Sequence, residues 1–332
     1  MNPTLPSPTV LILGANGRLG CAAAQAFDAA GWRVLAQVRR DPSPALPRRA
    51  ALLRRPLDGV DALVAEARGA TVVVHAINPV YTRWDSEAMP ALRQGLGIAE
   101  RLGAHFMLPG NVYNFGTSMP TLLRESTAFR PDTRKGEIRV EMEELMQTRA
   151  SAGGFTASVV RAGDFFGGGR GNWFDRAIVK SLAAGKLVYP GPLDVPHAWA
   201  YLPDLARAFV QVASLPSPAT FDTWHFEGHA VTGAEFLEAT EAAAASLGCA
   251  PAGRWRRAGM PWSLIGAVGL VVPTWRELAR MSYLWRVPHA LDAGRLNALP
   301  GRRSATPLTK ALGEALTDLG FGGAAGPALA YR

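Results

Sequence analysis

The chain has 332 residues, of which 48% are hydrophobic and 19% charged, with a formal net charge of +8. This is ordinary globular composition, with length for one large domain and a smaller one. Its two cysteines, Cys21 and Cys249, are too far apart for a disulfide framework or metal-ligand spacing; they suit a reducing cytoplasm, which is the expected localisation, and no metal site is expected.

The N-terminus lacks the charged-then-apolar layout of a secretory signal. Thr9 to Gly20 (Thr-Val-Leu-Ile-Leu-Gly-Ala-Asn-Gly-Arg-Leu-Gly) reads as a buried strand running into a glycine turn and a helix. Gly14 turns where a Cβ would clash, Gly17 admits backbone N–H groups to a pyrophosphate, and Gly20 lets the helix pack closely on the strand. Asn16, Arg18 and Leu19 complete the candidate cofactor loop, and the helix starting near Arg18 points its positive end at the phosphates. A glycine triplet alone is weak evidence. Here Cys21 to Phe27 continues as a helix and Trp32 to Val38 gives a second strand, so the context predicts a bound dinucleotide rather than a plain tight turn.

At the end of that strand Arg39 and Arg40 precede Asp41 and Pro42. Arg39 suits a 2′-phosphate, so NADP is expected in preference to NAD. In the competing reading the arginines end the strand in solvent and Asp41 takes the ribose.

Asp58 to Arg68 reads as helix, Thr71 to Ala76 as a buried strand, Met89 to Leu102 as helix and His105 to Leu108 as a strand. Gly136 to Ala150 is a helix with Ile138, Met142 and Leu145 on one stripe, and Ala157 to Arg161 is a further strand. Such alternation implies an α/β fold, a doubly wound parallel (Rossmann) sheet. Beyond about residue 170 glycines, prolines and tryptophans accumulate, with helices such as Ala234 to Ala245 between turns. The expected division is a nucleotide domain over 1–165, with returning segments near 198–215 and 307–320, and a smaller C-terminal substrate-binding region over 166–332. The apolar run Leu264 to Val272 is too short to span a bilayer; it could lie against a membrane surface, but it reads rather as a buried helix or a lid, and no membrane partner is expected. The positive charge is mostly scattered arginine with no basic block interleaved with aromatics, so no nucleic-acid partner is expected either.

Several segments, in order, resemble the extended short-chain dehydrogenase/reductase family, the NAD(P)-dependent epimerase/dehydratase group. They are Gly14 to Gly20, Val73-Val74-His75-Ala76, Asn111 to Gly116, Glu125-Ser126-Thr127, Val160 to Gly167 and Trp199 to Ala206. The resemblance covers most of the chain. It implies cofactor contacts at His75, Ala76, Arg139 and Arg161, and allows a homodimer paired through two helices of the nucleotide domain. His75 by itself reads more simply as a strand-end histidine bonded to backbone than as a base.

The family's usual proton relay is a tyrosine, a lysine four residues later on the same helix, and a serine or threonine after the fifth strand. Here Lys135 falls at the tyrosine position, Arg139 at the lysine position, and Gly110 or Asn111 where the hydroxyl is expected. Arg139 can still hold the nicotinamide ribose. Lys135, one helical turn away, would have its pKa lowered by that charge and by burial, which would make it an acid-base group near neutrality. In the alternative it points to solvent or pairs with Glu143. Tyr113 is a second candidate acid, with Asn111 polarising a carbonyl, against a reading as a core tyrosine.

For the substrate, Asn78, Tyr81 and Trp84 lie in the loop after the fourth strand, and the resemblance brings Phe165, Phe166 and Trp199 to the same crevice. These residues predict a largely apolar pocket for a small apolar or aromatic carbonyl or hydroxyl compound. Two functions follow: an NAD(P)-dependent oxidoreductase or epimerase/dehydratase-like enzyme, or an NAD(P)-binding sensor without turnover.

Overall fold

A computed structural model describes residues 7–301 and 305–323. The outermost parts of the two expected domains, residues 1–6 and 324–332, lie outside the described residues.

The chain begins with β1 (Thr9–Leu13), α1 (Arg18–Ala29), β2 (Arg33–Val38), β3 (Ala51–Arg54), α2 (Val60–Glu66), β4 (Val72–His75), α3 (Trp84–Leu102) and β5 (His105–Gly110). After a short β6 (Leu122–Leu123) come α4 (Arg134–Ser151), β7 (Ala157–Arg161), β8 (Asp164–Phe166), β9 (Lys186–Tyr189), β10 (Pro196–Tyr201), α5 (Leu202–Ala213) and β11 (Phe221–His225). Seven strands form one sheet in the order β11-β7-β5-β4-β1-β2-β3, every pair parallel.

Each central strand is buried on both faces, which is why it reads as a continuous apolar run rather than an alternating one. Val10, Ile12, Val72, Val74 and Met107 enter a core with Phe27 of α1 and Phe209 of α5. Leu11, Leu13, Val73, Phe106 and Leu108 enter the opposite core with Leu63, Leu96 and Met142 of α2, α3 and α4. A fully buried Val, Leu or Phe contributes about 1.5–3 kcal/mol, an exposed ion pair about 0.2–1 kcal/mol. The two apolar layers therefore dominate the fold.

Three departures from the sequence expectations have physical causes. The edge strands β3 and β11 were not anticipated: β3 is short and flanked by arginines, and an edge strand needs no continuous apolar run. Helix α3 starts at Trp84 rather than Met89, with Pro90 inside it and Asp85 and Glu87 in its first turn, where carboxylates suit the helix dipole. The 307–320 segment does not return to the large sheet. Its helix packs elsewhere, as follows.

The second lobe contains β12 (His229–Thr232), α6 (Gly233–Ser246), β13 (Arg256–Gly259), the helical pair α7 (Trp262–Gly269) and α8 (Pro273–Arg280), β14 (Ala290–Leu291) and α10 (Leu308–Asp318); α9 (Gly294–Asn297) instead packs on β11 and buries Leu296 in the first core. A three-stranded sheet, β12-β10-β8, carries an aromatic core of Phe166, Phe174, Tyr189, Trp199, Phe236 and Trp285. Helix α10 buries Leu312 and Leu316 in that same core against α6, so it belongs to this lobe. The stretch 198–215 divides: β10 joins the second sheet and α5 packs on α1. The run Leu264 to Val272 is not buried. It forms most of α7 and the turn into α8, and leaves Leu264, Leu270 and Val271 exposed. No helix among the described residues is long and apolar enough to cross a membrane.

Candidate cofactor cradle and active-site crevice

At the carboxyl end of β1 the chain turns at Gly14, whose φ of 77° lies in the left-handed region. Its N–H donates to Gln37 Oε1 at 2.9 Å, and Gln37 Nε2 donates to the Arg55 carbonyl at 2.6 Å. Gln37 thus ties the turn to β2 and the end of β3. A Cβ on Gly20 would lie 2.4 Å from the Gly14 carbonyl oxygen, so only glycine lets α1 start this close to the turn. Gly17 is the N-cap; no side chain caps α1 and no acid lies in its first turn. Leu19 is buried, and the backbone of Ala76 borders the turn. The uncapped N-terminus beside a cradle that a Cβ would fill fits the pyrophosphate of a dinucleotide.

Two expected cofactor ligands are turned into the protein itself. Asn16 donates to the Asp41 carbonyl and accepts from the Ser43 N–H, each at 2.9 Å, and so fastens the loop after β2 to the glycine turn. His75 is buried towards α3: a Cβ on Gly95 would lie 2.7 Å from its Nδ1, which has no partner. The expected bond from this histidine to backbone is not made through this nitrogen. Arg18 extends into the crevice towards Asp164 and Asp175, with burial lowering its pKa.

Past β2, Arg39, Arg40, Arg54 and Arg55 wall a shallow pocket of about 170 Å³. Asp41 is turned to Arg54 at 3.2 Å. The sequence pointed to Arg39, but Arg54 and Arg55 join it only because β3 runs beside β2, with Val38 in register with Arg54.

In the crevice between the lobes, Lys135 is buried and pairs with Glu277 of α8, and its Nζ lies 4.3 Å from the Tyr81 ring centroid. It neither points to solvent nor pairs with Glu143. Arg139 donates to the Pro109 carbonyl at 3.1 Å and lies 4.8 Å over the Trp84 ring; its Nε has no partner. Burial lowers its pKa to about 10. One guanidinium nitrogen is committed to this wall, so the expected ribose contact would fall to the remaining N–H donors.

Arg161 is fully buried and pairs with Glu143 at 2.6 Å. It also donates to the Asn111 carbonyl at 2.5 Å and to Asn114 Oδ1 at 3.2 Å, between the rings of Phe115 and Phe129. Expected at the cofactor, Arg161 instead supports the loop that carries Asn111 and Tyr113. Asn111 Oδ1 accepts from the Tyr113 N–H at 3.0 Å, which leaves its amide donors available. Burial pushes the pKa of the Tyr113 hydroxyl up to about 12.

A small cavity of about 10 Å³, room for one water, lies among Asn111, Tyr113, Asp164, His197, Leu284 and His289. His197 Nε2 faces Asp164 Oδ2 at 3.0 Å, and its ring stacks on Trp285 at 4.3 Å. Of the expected substrate residues, Tyr81 and Phe165 are half-buried near the crevice and Asn78 is exposed on its loop. Trp84, Phe166 and Trp199 fill cores and do not line a pocket, because their bulk closes the layers behind the crevice. Sequence reading did not assign Gln37, Asp164 or Glu277. A lone glutamine in the run Val34 to Val38 was a signal for the first, since a buried amide needs a partner.

The histidines supply a pH expectation. Burial lowers His75 to about 3 and His105, His225 and His289 to about 4. The unfolded chain titrates these groups near 6.5, so it binds more protons between about pH 6.5 and 4. Their contribution to stability is complete above about pH 6.5 and falls as the pH drops towards 4. The melting temperature should fall from pH 7.5 to pH 5; a flat profile would contradict the neutral, buried assignment.

A family model described as the NAD dependent epimerase/dehydratase family matches residues 10–222. Among solved structures, MoeE5 in complex with UDP-glucose and NAD is similar at 18% identity and a TM-score of 0.69, covering 94% of this chain and 98% of its own. UDP-glucose 4-epimerase from Thermotoga maritima matches at 13% identity and a TM-score of 0.70, covering 93% and 98%. L-threonine dehydrogenase from Clostridium difficile matches at 16% and 0.69, covering 94% and 98%. No curated protein sequence matches significantly. At these identities the structural likeness establishes the fold.

Proposed function

The chain belongs to the NAD-dependent epimerase/dehydratase family, and from that premise we propose that it is an NADP-dependent oxidoreductase acting on a small apolar or aromatic carbonyl or hydroxyl compound. The observation that carries this reading is the uncapped start of α1, held against the glycine turn where a Gly20 Cβ would meet the Gly14 carbonyl. The backbone of Gly17 to Gly20 would hold the pyrophosphate, and Arg39, with Arg40 and Arg54 beside it, would hold a 2′-phosphate. The nicotinamide, when bound, gives or takes a hydride.

This chain's residues then have three tasks. Asn111 offers its amide donors to the substrate oxygen. Lys135, counter-charged by Glu277, donates the proton to that oxygen or removes it. The Arg161–Glu143 pair fixes the loop from which Asn111 and Tyr113 project.

The second reading, a dinucleotide-binding sensor without turnover, is favoured by one observation: both replacements in the proton relay, Lys135 and Arg139, are already bonded within the protein. Equilibrium titration is the first test. NADPH should bind more tightly than NADH, and Arg39→Ala should remove most of that preference, by about tenfold for a charge-assisted contact worth about 1.5 kcal/mol. No saturable uptake of either coenzyme would overturn both readings. Uptake without oxidation of NADPH across a panel of aldehydes and ketones would favour the sensor.

A further inference from the structure

We propose that the α7–α8 hairpin docks this protein on the surface of an anionic lipid bilayer. Nine large hydrophobic residues are exposed among the described residues, and four of them, Leu264, Leu270, Val271 and Trp275, fall within this one hairpin. Leu270 and Val271 are each 81% exposed and occupy the turn between the two helices. Isolated exposed apolar side chains are normal, but a contiguous group on a projecting tip marks an interaction site. Helix α7 is apolar almost throughout, yet only Ile265 and Gly269 of it are buried.

The charge around this tip selects the partner. Residues 251–286 carry six arginines and a single acid, Glu277. That acid is turned inward to Lys135 and also pairs with Arg280 at 3.0 Å. Arg276 and Arg280 of α8 are exposed on the hairpin itself, and Arg254 and Arg256, ahead of α7 in the chain, are exposed as well. Aliphatic side chains at the tip, a tryptophan beside them and arginines behind them match the acyl boundary, the interface and the phosphate layer of a membrane in that order. Two copies of the hairpin packed on each other would set like charges together, which disfavours a symmetric self-contact. With eight residues in each helix the hairpin is too short to span, so it lies in the interface. The sequence reading placed a buried helix or a lid ahead of a membrane-surface element for this run, and the exposure of Leu264, Leu270 and Val271 favours the surface element.

Vesicle flotation tests the proposal with the full chain. The protein should float with vesicles of phosphatidylcholine and phosphatidylserine, less with phosphatidylcholine alone, and less at high salt. Leu270→Ser with Val271→Ser should lower the partition coefficient by about tenfold or more. Trp275→Ser should lower it too, and Arg276→Ser with Arg280→Ser should remove the preference for anionic vesicles. All these side chains are exposed, so the melting temperature checks that the variants fold. Failure of the wild type to float, equal binding to neutral vesicles, or full binding by the Leu270/Val271 variant would overturn the proposal. So would a dimer in vesicle-free sedimentation that the same variant dissociates, because a second copy would then be what covers the tip. None of these outcomes depends on coenzyme binding.

Discussion

Replacing Lys135 with methionine is expected to lower turnover on the order of 10²–10⁴-fold, the range for removing a general acid-base group, while the coenzyme dissociation constant stays unchanged. The choice of Lys135 over Tyr113 follows from their surroundings. Burial pushes the Tyr113 hydroxyl up to about 12. A hydroxyl held in its protonated form by its surroundings is a poor partner for proton exchange, so Tyr113→Phe should change turnover by only a few-fold. The methionine variant should fold, because Glu277 keeps its second partner, Arg280, at 3.0 Å. The measurement is kcat and kcat/KM for NADPH oxidation with whichever carbonyl substrate the wild type accepts. Full turnover in the Lys135 variant would remove the proposed proton role.

Arg161→Met should be the most destabilising single change at the site, by about 3–5 kcal/mol, because it leaves a carboxylate buried without its counter-charge. Glu143 is 4% exposed, and its remaining side-chain partner is Asn114 at 3.0 Å. A fall in melting temperature on the order of 5–10 °C is expected for a loss of that size. Glu143→Met combined with Arg161→Met should lose much less than Arg161→Met alone, since no lone charge then stays buried. The same variant frees the Asn111 carbonyl, so substrate KM should rise in whatever folded protein remains. A loss under about 1 kcal/mol would mean that Glu143 finds another partner or takes up a proton in place of the pair.

Legibility in the sequence followed the range of the interactions. The buried strands and the helices were readable because burial on both faces imposes continuous apolar runs on β1 and β4, and a 3.6-residue stripe on α4. The edge strands β3 and β11 were not, since an edge carries no such constraint. The glycine cradle was legible down to individual residues: a turn at φ of 77° at Gly14, and a Cβ on Gly20 that would lie 2.4 Å from the Gly14 carbonyl oxygen, admit little but glycine. The roles of the polar residues were less legible. Arg161 and His75 stand at positions that the resemblance assigns to the cofactor, yet one is neutralised by Glu143 and the other lies under Gly95.

From its sequence alone this protein was fixed as a doubly wound sheet with a dinucleotide cradle at its first turn, because those features depend on neighbours within about a dozen residues. Tertiary structure alone decided that Lys135 meets Glu277 from 142 positions away, that β3 adds Arg54 and Arg55 to Arg39, and that the most apolar late segment faces outward. A charge or an apolar side chain settles its role by what closes around it, and distant parts of the chain supply that enclosure only once the fold is made.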